Sequence, residues 1–185
     1  APDGPADTTV NHEHIRRALT SGRFVLGSRV VRRLPAGGDP AVRPPVLLEV
    51  STVDDGRLTP VRVAAPGLAA ALDEWALEQL TRLDLPDAPV ALRLQPGGEL
   101  TTALGDSAVA LVAQRPGLDL VLQVPEERLE AAIAAQRTVL RQLRAAGVDV
   151  GVSEWSGRID VPTLVRADVG LVELSPPCQR DVVRP

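Results

Sequence analysis

The chain has 185 residues, enough for one domain with a substantial core, and 44% of them are hydrophobic. A net charge of −4 and a pI near 5.2 exclude a global basic footprint for nucleic acid or for an anionic membrane surface. No apolar run reaches the roughly 18 residues of a membrane span and no signal peptide opens the chain, while the single cysteine, Cys178, excludes an internal disulfide and a cysteine-rich zinc site. A reducing, cytoplasmic location is the expectation. Only Phe24, Trp75 and Trp155 are aromatic, so the core must be built from Leu, Val and Ala. The chain has no methionine, even at position 1, and reads as a processed product or an excised segment.

Residues 1–11 are polar and proline-containing and read as a flexible lead-in. A short helix is predicted from His12 to Thr20, stopped by Ser21-Gly22. His12 and His14 flank Glu13, but an i, i+2 spacing does not place two imidazoles on one helix face, so they read as solvated. The arginines at 16, 17, 29, 32 and 33 read mainly as a solvated face. A strand is predicted through Phe24-Val25-Leu26 and Val30-Val31, before a Pro- and Gly-rich loop over 35–45. Val46–Val50 is a second strand, and Asp54-Asp55-Gly56 a hairpin turn leading to an extended piece over Pro60–Val63.

Leu68, Leu72, Trp75, Leu80 and Leu83 recur at helical spacing over 67–83. Val90–Leu94 is a strand, Asp106–Gln114 a helix and Leu118–Val124 a strand. One long helix is predicted from Glu126 to Ala146, opened by Pro125 with two acids in its first turn and stopped by Gly147. Strand Val148–Val152, a short helix over Val161–Arg166 and strand Val169–Leu174 come next, and residues 176–185 read as a flexible tail. Alternating strands and helices in the second half argue for parallel βα units. The absence of a Gly-x-Gly-x-x-Gly or a phosphate-loop lysine turns the choice from a nucleotide-binding open sheet to a barrel. The fold class is therefore α/β, an incomplete or modified (β/α) TIM-type barrel over residues 12–175.

The order of these elements resembles the EAL domain, the barrel family that hydrolyses cyclic di-GMP. Gly67-Leu68-Ala69-Ala70-Ala71-Leu72-Asp73-Glu74-Trp75-Ala76-Leu77 is similar to the family's Gly-Leu-Ile-x-x-Leu-Asp-x-Trp-Val-Leu helix. Ile15-x-x-Ala18-Leu19 with Gly22-x-Phe24-x-Leu26 resembles its opening helix and first strand. Leu140-x-x-Leu143-Arg144-x-x-Gly147-Val148 resembles the segment before its acidic strand end, and Asp168–Glu173 its Asp-x-x-Lys-Ile-Asp strand.

The positions that the resemblance makes functional have changed. Counting back from Asp55-Gly56, the glutamate that names the family falls on Val46 and the arginine after it on Val50, with Glu49 one residue away. The family's strand-end Asn becomes Arg93, Glu-x-Thr-Glu becomes Gln123-Val124-Pro125-Glu126, the Asp-Asp pair becomes Ser153-Glu154, and a lysine becomes Leu171. The family's last strands, with a further glutamate, have no counterpart before Pro185. Two divalent ions about 4 Å apart need several carboxylates, and an arginine in their midst adds repulsion. Ser153 lacks a nucleophile-elbow context.

The resemblance thus implies a catalytically inactive EAL relative with no catalytic residue, metal or cofactor. Such a domain would act in bacterial signalling through a protein partner, a neighbouring domain or homodimerisation. The alternative is a receptor that binds cyclic di-GMP or another nucleotide without cleaving it. In that reading Arg29 and Arg93 supply charge and Trp155 stacks beside Glu154; the competing roles are ion pairing for the arginines and packing for the tryptophan.

Overall fold

The computed structural model describes residues 24–30, 45–54, 56–85, 87–135 and 138–175. The predicted helix over 12–20, with its histidines and Arg16 and Arg17, and Arg32 and Arg33 lie outside the described residues, as do the lead-in and the tail.

Among the described residues, seven strands form one sheet: β1 (Phe24–Val30), β2 (Val46–Asp54), β3 (Arg57–Pro60), β4 (Val90–Arg93), β5 (Leu120–Pro125), β6 (Asp149–Trp155) and β7 (Leu171–Leu174). Their order is β1-β2-β4-β5-β6-β7, with β3 paired to β2 alone. β2, β4, β5, β6 and β7 run parallel, as the βα alternation predicts, whereas β1 lies antiparallel to β2. No backbone pairing joins β1 to β7, so the sheet is not closed among the described residues. β2 and β3 form a hairpin where the Asp54-Asp55-Gly56 turn is predicted, with Gly56 in the left-handed region at φ 75° and Asp54 opposite Arg57, while Asp55 lies outside the described residues.

Helices α1 (Pro66–Arg82), α2 (Thr102–Gln114), α3 (Glu126–Ala134), α4 (Thr138–Ala145) and α5 (Val161–Arg166) connect the strands. The helix predicted from 106 starts a turn earlier, because the Thr101 side chain accepts from the Leu104 N–H and caps it. The single helix predicted over 126–146 is observed as α3 and α4, with residues 136–137 outside the described residues. Its two ends are as predicted. Glu126 and Glu127 sit in the first turn, and Gly147, at φ 79°, lets Val148 N–H return to the Leu143 carbonyl at 2.9 Å.

Strand alternation divides the apolar residues between two faces. Leu48, Val50, Leu92, Leu122, Val124, Val150 and Val152 pack in the main core with Leu72, Leu80, Leu129, Leu140 and Leu143 of the helices. Leu47, Ala91 and Val121, joined by half-buried Leu171, form a smaller cluster on the other face. Burial on both faces explains why these strands read as continuous apolar runs. The inner face tolerates little bulk: a Cβ at Gly151 would stand 3.0 Å from the Leu171 carbonyl oxygen and 3.1 Å from its Cβ.

A buried polar knot ties the helices to the strand ends. The Asp73 carboxylate accepts from Arg128 Nη1 and from the Gln95 N–H, both at 2.8 Å. Arg128 also donates to the carbonyls of Gln95 and Glu99, and the Gln95 side-chain oxygen accepts from the Val63 N–H. This knot joins α1, α3 and the loop after β4. Burial raises the Asp73 pKa to about 6, against the pull of the Arg128 charge and the Gln95 hydrogen bond.

Candidate functional site at the strand ends

The inner-face residues beyond the Leu47–Ala91–Val121 cluster are polar. β2 presents Glu49 and Ser51, β4 Arg93, β5 Gln123, β6 Ser153 and β7 Glu173, all on the side opposite the helices. The segment after β3 adds Arg62, and β1, whose Arg29 pairs in register with Leu47, adds a third arginine. In parallel strands these are C-terminal ends, the side on which barrel enzymes and open α/β sheets place their ligands.

Arg93 organises this layer. Its side chain is only 3% exposed, and its guanidinium contacts Glu154 at 3.3 Å, Glu49 at 3.7 Å and Glu173. Glu49, 5% exposed, also takes Arg62 at 3.0 Å and Arg29 at 3.8 Å. Arg29 continues to Glu173 at 3.2 Å, and Arg62 to Glu154 at 3.8 Å. Three glutamates and three arginines thus form one network of zero formal charge. Arg93 Nε and Gln123 Oε1, on adjacent strands at the same register, are buried without a hydrogen-bond partner.

Three of the four ligand-binding candidates meet here: Arg29, Arg93 and Glu154 all enter the network. Trp155 does not. Simple alternation would place it on the same face as Ser153, but β6 is irregular between Val152 and Trp155, and Glu154 has φ 54°. A bulge with one residue in the left-handed region reverses the facing of the residues after it. The Trp155 ring packs against the main core, and its Nε1 donates to the Ile159 carbonyl at 2.8 Å. The same reversal sends the Glu154 carboxylate toward Arg93 from a mostly exposed position.

The two β2 positions assigned to the family's glutamate and arginine fall on the wrong face for a ligand. Val50 is fully buried in the main core, and Val46 packs against that core. Glu49, one residue from the counted arginine position, faces the network, as β2 alternation requires. Sequence reasoning also missed Arg62 and Glu173 as site residues. Glu173 had a usable signal, since it lies two residues beyond Leu171 on a strand and shares its face. Arg62 had none, because it is delivered by an irregular segment.

Glu126 is committed elsewhere. It is buried, yet it accepts from the Ser156 hydroxyl at 2.6 Å, the Ser156 N–H at 2.8 Å and the Ile159 N–H at 2.9 Å. Burial pushes its pKa up, but these hydrogen bonds win and hold it below the ordinary glutamate value. It is a clasp on the loop after β6.

The donor set does not fit a pair of divalent ions. The strand-end carboxylates are Glu49, Glu154 and Glu173, and the same buried arginine forms an ion pair with each; a cation placed among them would meet its guanidinium. Among the described residues, no three His, Cys, Asp or Glu side chains are grouped to hold a metal ion. No described helix is long and apolar enough to cross a membrane.

The fold is thus a mostly parallel α/β sheet, unclosed among the described residues, with its polar layer at the strand C-termini. Comparison of structures narrows this. The chain superposes on the PaMucR phosphodiesterase in its c-di-GMP complex with a TM-score of 0.68, 20% identity, and 94% of this chain and 75% of that one covered. The FimX EAL domain from Pseudomonas aeruginosa bound to c-di-GMP gives 0.64 at 16% identity, covering 92% and 73%. The Vibrio cholerae LapD S helix-GGDEF-EAL chain gives 0.62 at 12% identity over 92% of this chain, which spans 45% of that longer one. No family model matches the sequence. No curated protein matches it either. The chain shares the fold of these EAL domains, and its sheet is not closed among the described residues.

Proposed function

We propose that the chain is a non-catalytic EAL-like regulatory domain that acts by contact with a protein partner or a neighbouring domain. One observation carries the reading: the buried Arg93 guanidinium occupies the centre of the strand-end layer and engages Glu49, Glu154 and Glu173. Carboxylates already neutralised by arginine are poor ligands for a cation pair, and displacing the guanidinium would leave a buried positive charge uncompensated. Structural likeness to domains of cyclic di-GMP signalling proteins supports a regulatory setting. The test is incubation with cyclic di-GMP and magnesium or manganese, then chromatographic product analysis. The substrate is expected to be recovered intact; linear dinucleotide above a no-protein blank would refute the reading.

A second reading has specific support. Two structural neighbours were solved with c-di-GMP bound, and Arg29 is half exposed at the rim of the network. An anionic dinucleotide could recruit Arg29 and Arg62 away from their glutamates. Calorimetry with cyclic di-GMP on the wild type and on Arg29→Ala, a half-exposed position whose loss costs the fold little, separates the readings: heat at tens of micromolar ligand that Arg29→Ala weakens favours the receptor, and no heat favours the partner-binding domain.

A further inference from the structure

A groove of about 460 Å³ lies between α1 and α2, on the helical side of the sheet and across it from the arginine–glutamate network. Its floor is apolar, with Leu77 and Leu111 almost fully buried, and its walls include small side chains such as Ala71 and Ala110. Half-buried Trp75 also lines the groove, and its ring meets Phe24 edge-on with centroids 6.3 Å apart. Glu74 and Glu78 stand exposed one turn apart on α1 and form no ion pair among the described residues. Like charges at i, i+4 are mutually destabilising, and the lining contains no cation to relieve them.

We propose that this groove is a docking site for a basic amphipathic helix of a partner protein. Small walls let a helix approach closely, half-buried Trp75 with Ala71 and Ala110 meets its apolar side, and lysines or arginines on its flank meet Glu74 and Glu78. The stretch from Ala71 to Thr81 measures about 15 Å along α1, room for two to three turns of a docked helix. The proposal gives the partner-binding function its surface and rests on that reading.

The test uses the full chain and a fluorophore-labelled synthetic helical peptide, with leucines at i, i+3, i+4 and i+7 and lysines on the flanks, read by anisotropy. Saturable binding is expected. It should weaken about tenfold in Glu74→Lys/Glu78→Lys, where two attractive contacts become repulsive. It should be lost in Ala110→Trp, which fills the groove from an exposed position, with thermal unfolding unchanged in both variants. A peptide carrying glutamates in place of the lysines should not bind. Equal binding of the two peptides, or binding indifferent to both variants, overturns the proposal. So does sedimentation showing that the wild type self-associates and that Ala110→Trp abolishes this, since the occupant is then a second copy. Hydrolysis of cyclic di-GMP would sink the functional reading while leaving peptide binding in place; a null titration would sink the docking site and leave the hydrolysis result untouched.

Discussion

Arg29 on β1 and Glu173 on β7 lie 3.2 Å apart, although no backbone hydrogen bond joins their strands. The two ends of the sheet are thus linked by side chains, and the link passes inward to Arg93, which shares Glu173. These contacts differ sharply in burial, so they differ in energetic weight.

Arg93→Ala is expected to destabilise the fold by about 3 kcal/mol, because it strips a buried partner from Glu49 and opens a void on the inner face. Arg29→Ala should cost no more than about 1 kcal/mol, since that side chain is half exposed and screened by water. Urea unfolding of both variants checks the order; equal losses would mean that Arg93 does not organise the layer.

Asp73 should make stability fall as pH rises. Its folded pKa of about 6 exceeds its unfolded value near 3.8, so between these values the folded state holds a proton that the unfolded state has released. The unfavourable contribution is absent below pH 4, grows through the window and is complete above pH 6. At about 1.4 kcal/mol per pKa unit it reaches a few kcal/mol. The urea midpoint of the wild type minus that of Asp73→Asn, tracked from pH 4 to 7, should decline. A flat difference would remove the assignment.

Glu126 has the opposite sign. Its folded pKa lies below the ordinary 4.5, so its clasp on Ser156 and Ile159 stabilises fully above the unfolded pKa and is lost as pH falls through the folded one. Glu126→Gln should lower the thermal midpoint at pH 7 and converge on the wild type in acid. Parallel curves would argue against it.

Gly97→Ala should be among the most damaging single-methyl additions. An added Cβ would stand 2.0 Å from the Ala64 carbonyl oxygen, so the backbone itself must shift, at a cost of about 1–3 kcal/mol or more. Gly117→Ala meets nothing within 4 Å, but its φ of 92° imposes conformational strain instead. Chemical denaturation of the pair tests the contrast; Gly97→Ala should lose more.

Trp155→Phe should cost about 1 kcal/mol through the lost hydrogen bond to Ile159 and leave any nucleotide heat unchanged. A calorimetric loss in this variant would show that the ring serves a ligand.

Most of the fold was legible because its signals are local. The Leu72–Leu80 periodicity, the β2–β3 hairpin at Gly56 and the Gly147 stop act through a few neighbouring residues, and each appears where expected. The site was harder. Leu47 to Val50 alternate between two buried faces, so hydropathy alone could not tell whether Glu49 or Val50 points inward. The facing of Trp155 depends on a non-glycine residue in the left-handed region, which no side-chain pattern announces. The partners of Arg93 come from strands up to 80 residues away, beyond the reach of spacing arguments.

The arginine–glutamate layer has a kinetic corollary. Three positive and three negative groups packed together present little net field a Debye length away, about 8 Å at physiological ionic strength. A charged visitor would receive no long-range pull toward this rim, so its arrival rate should stay ordinary and vary little with added salt.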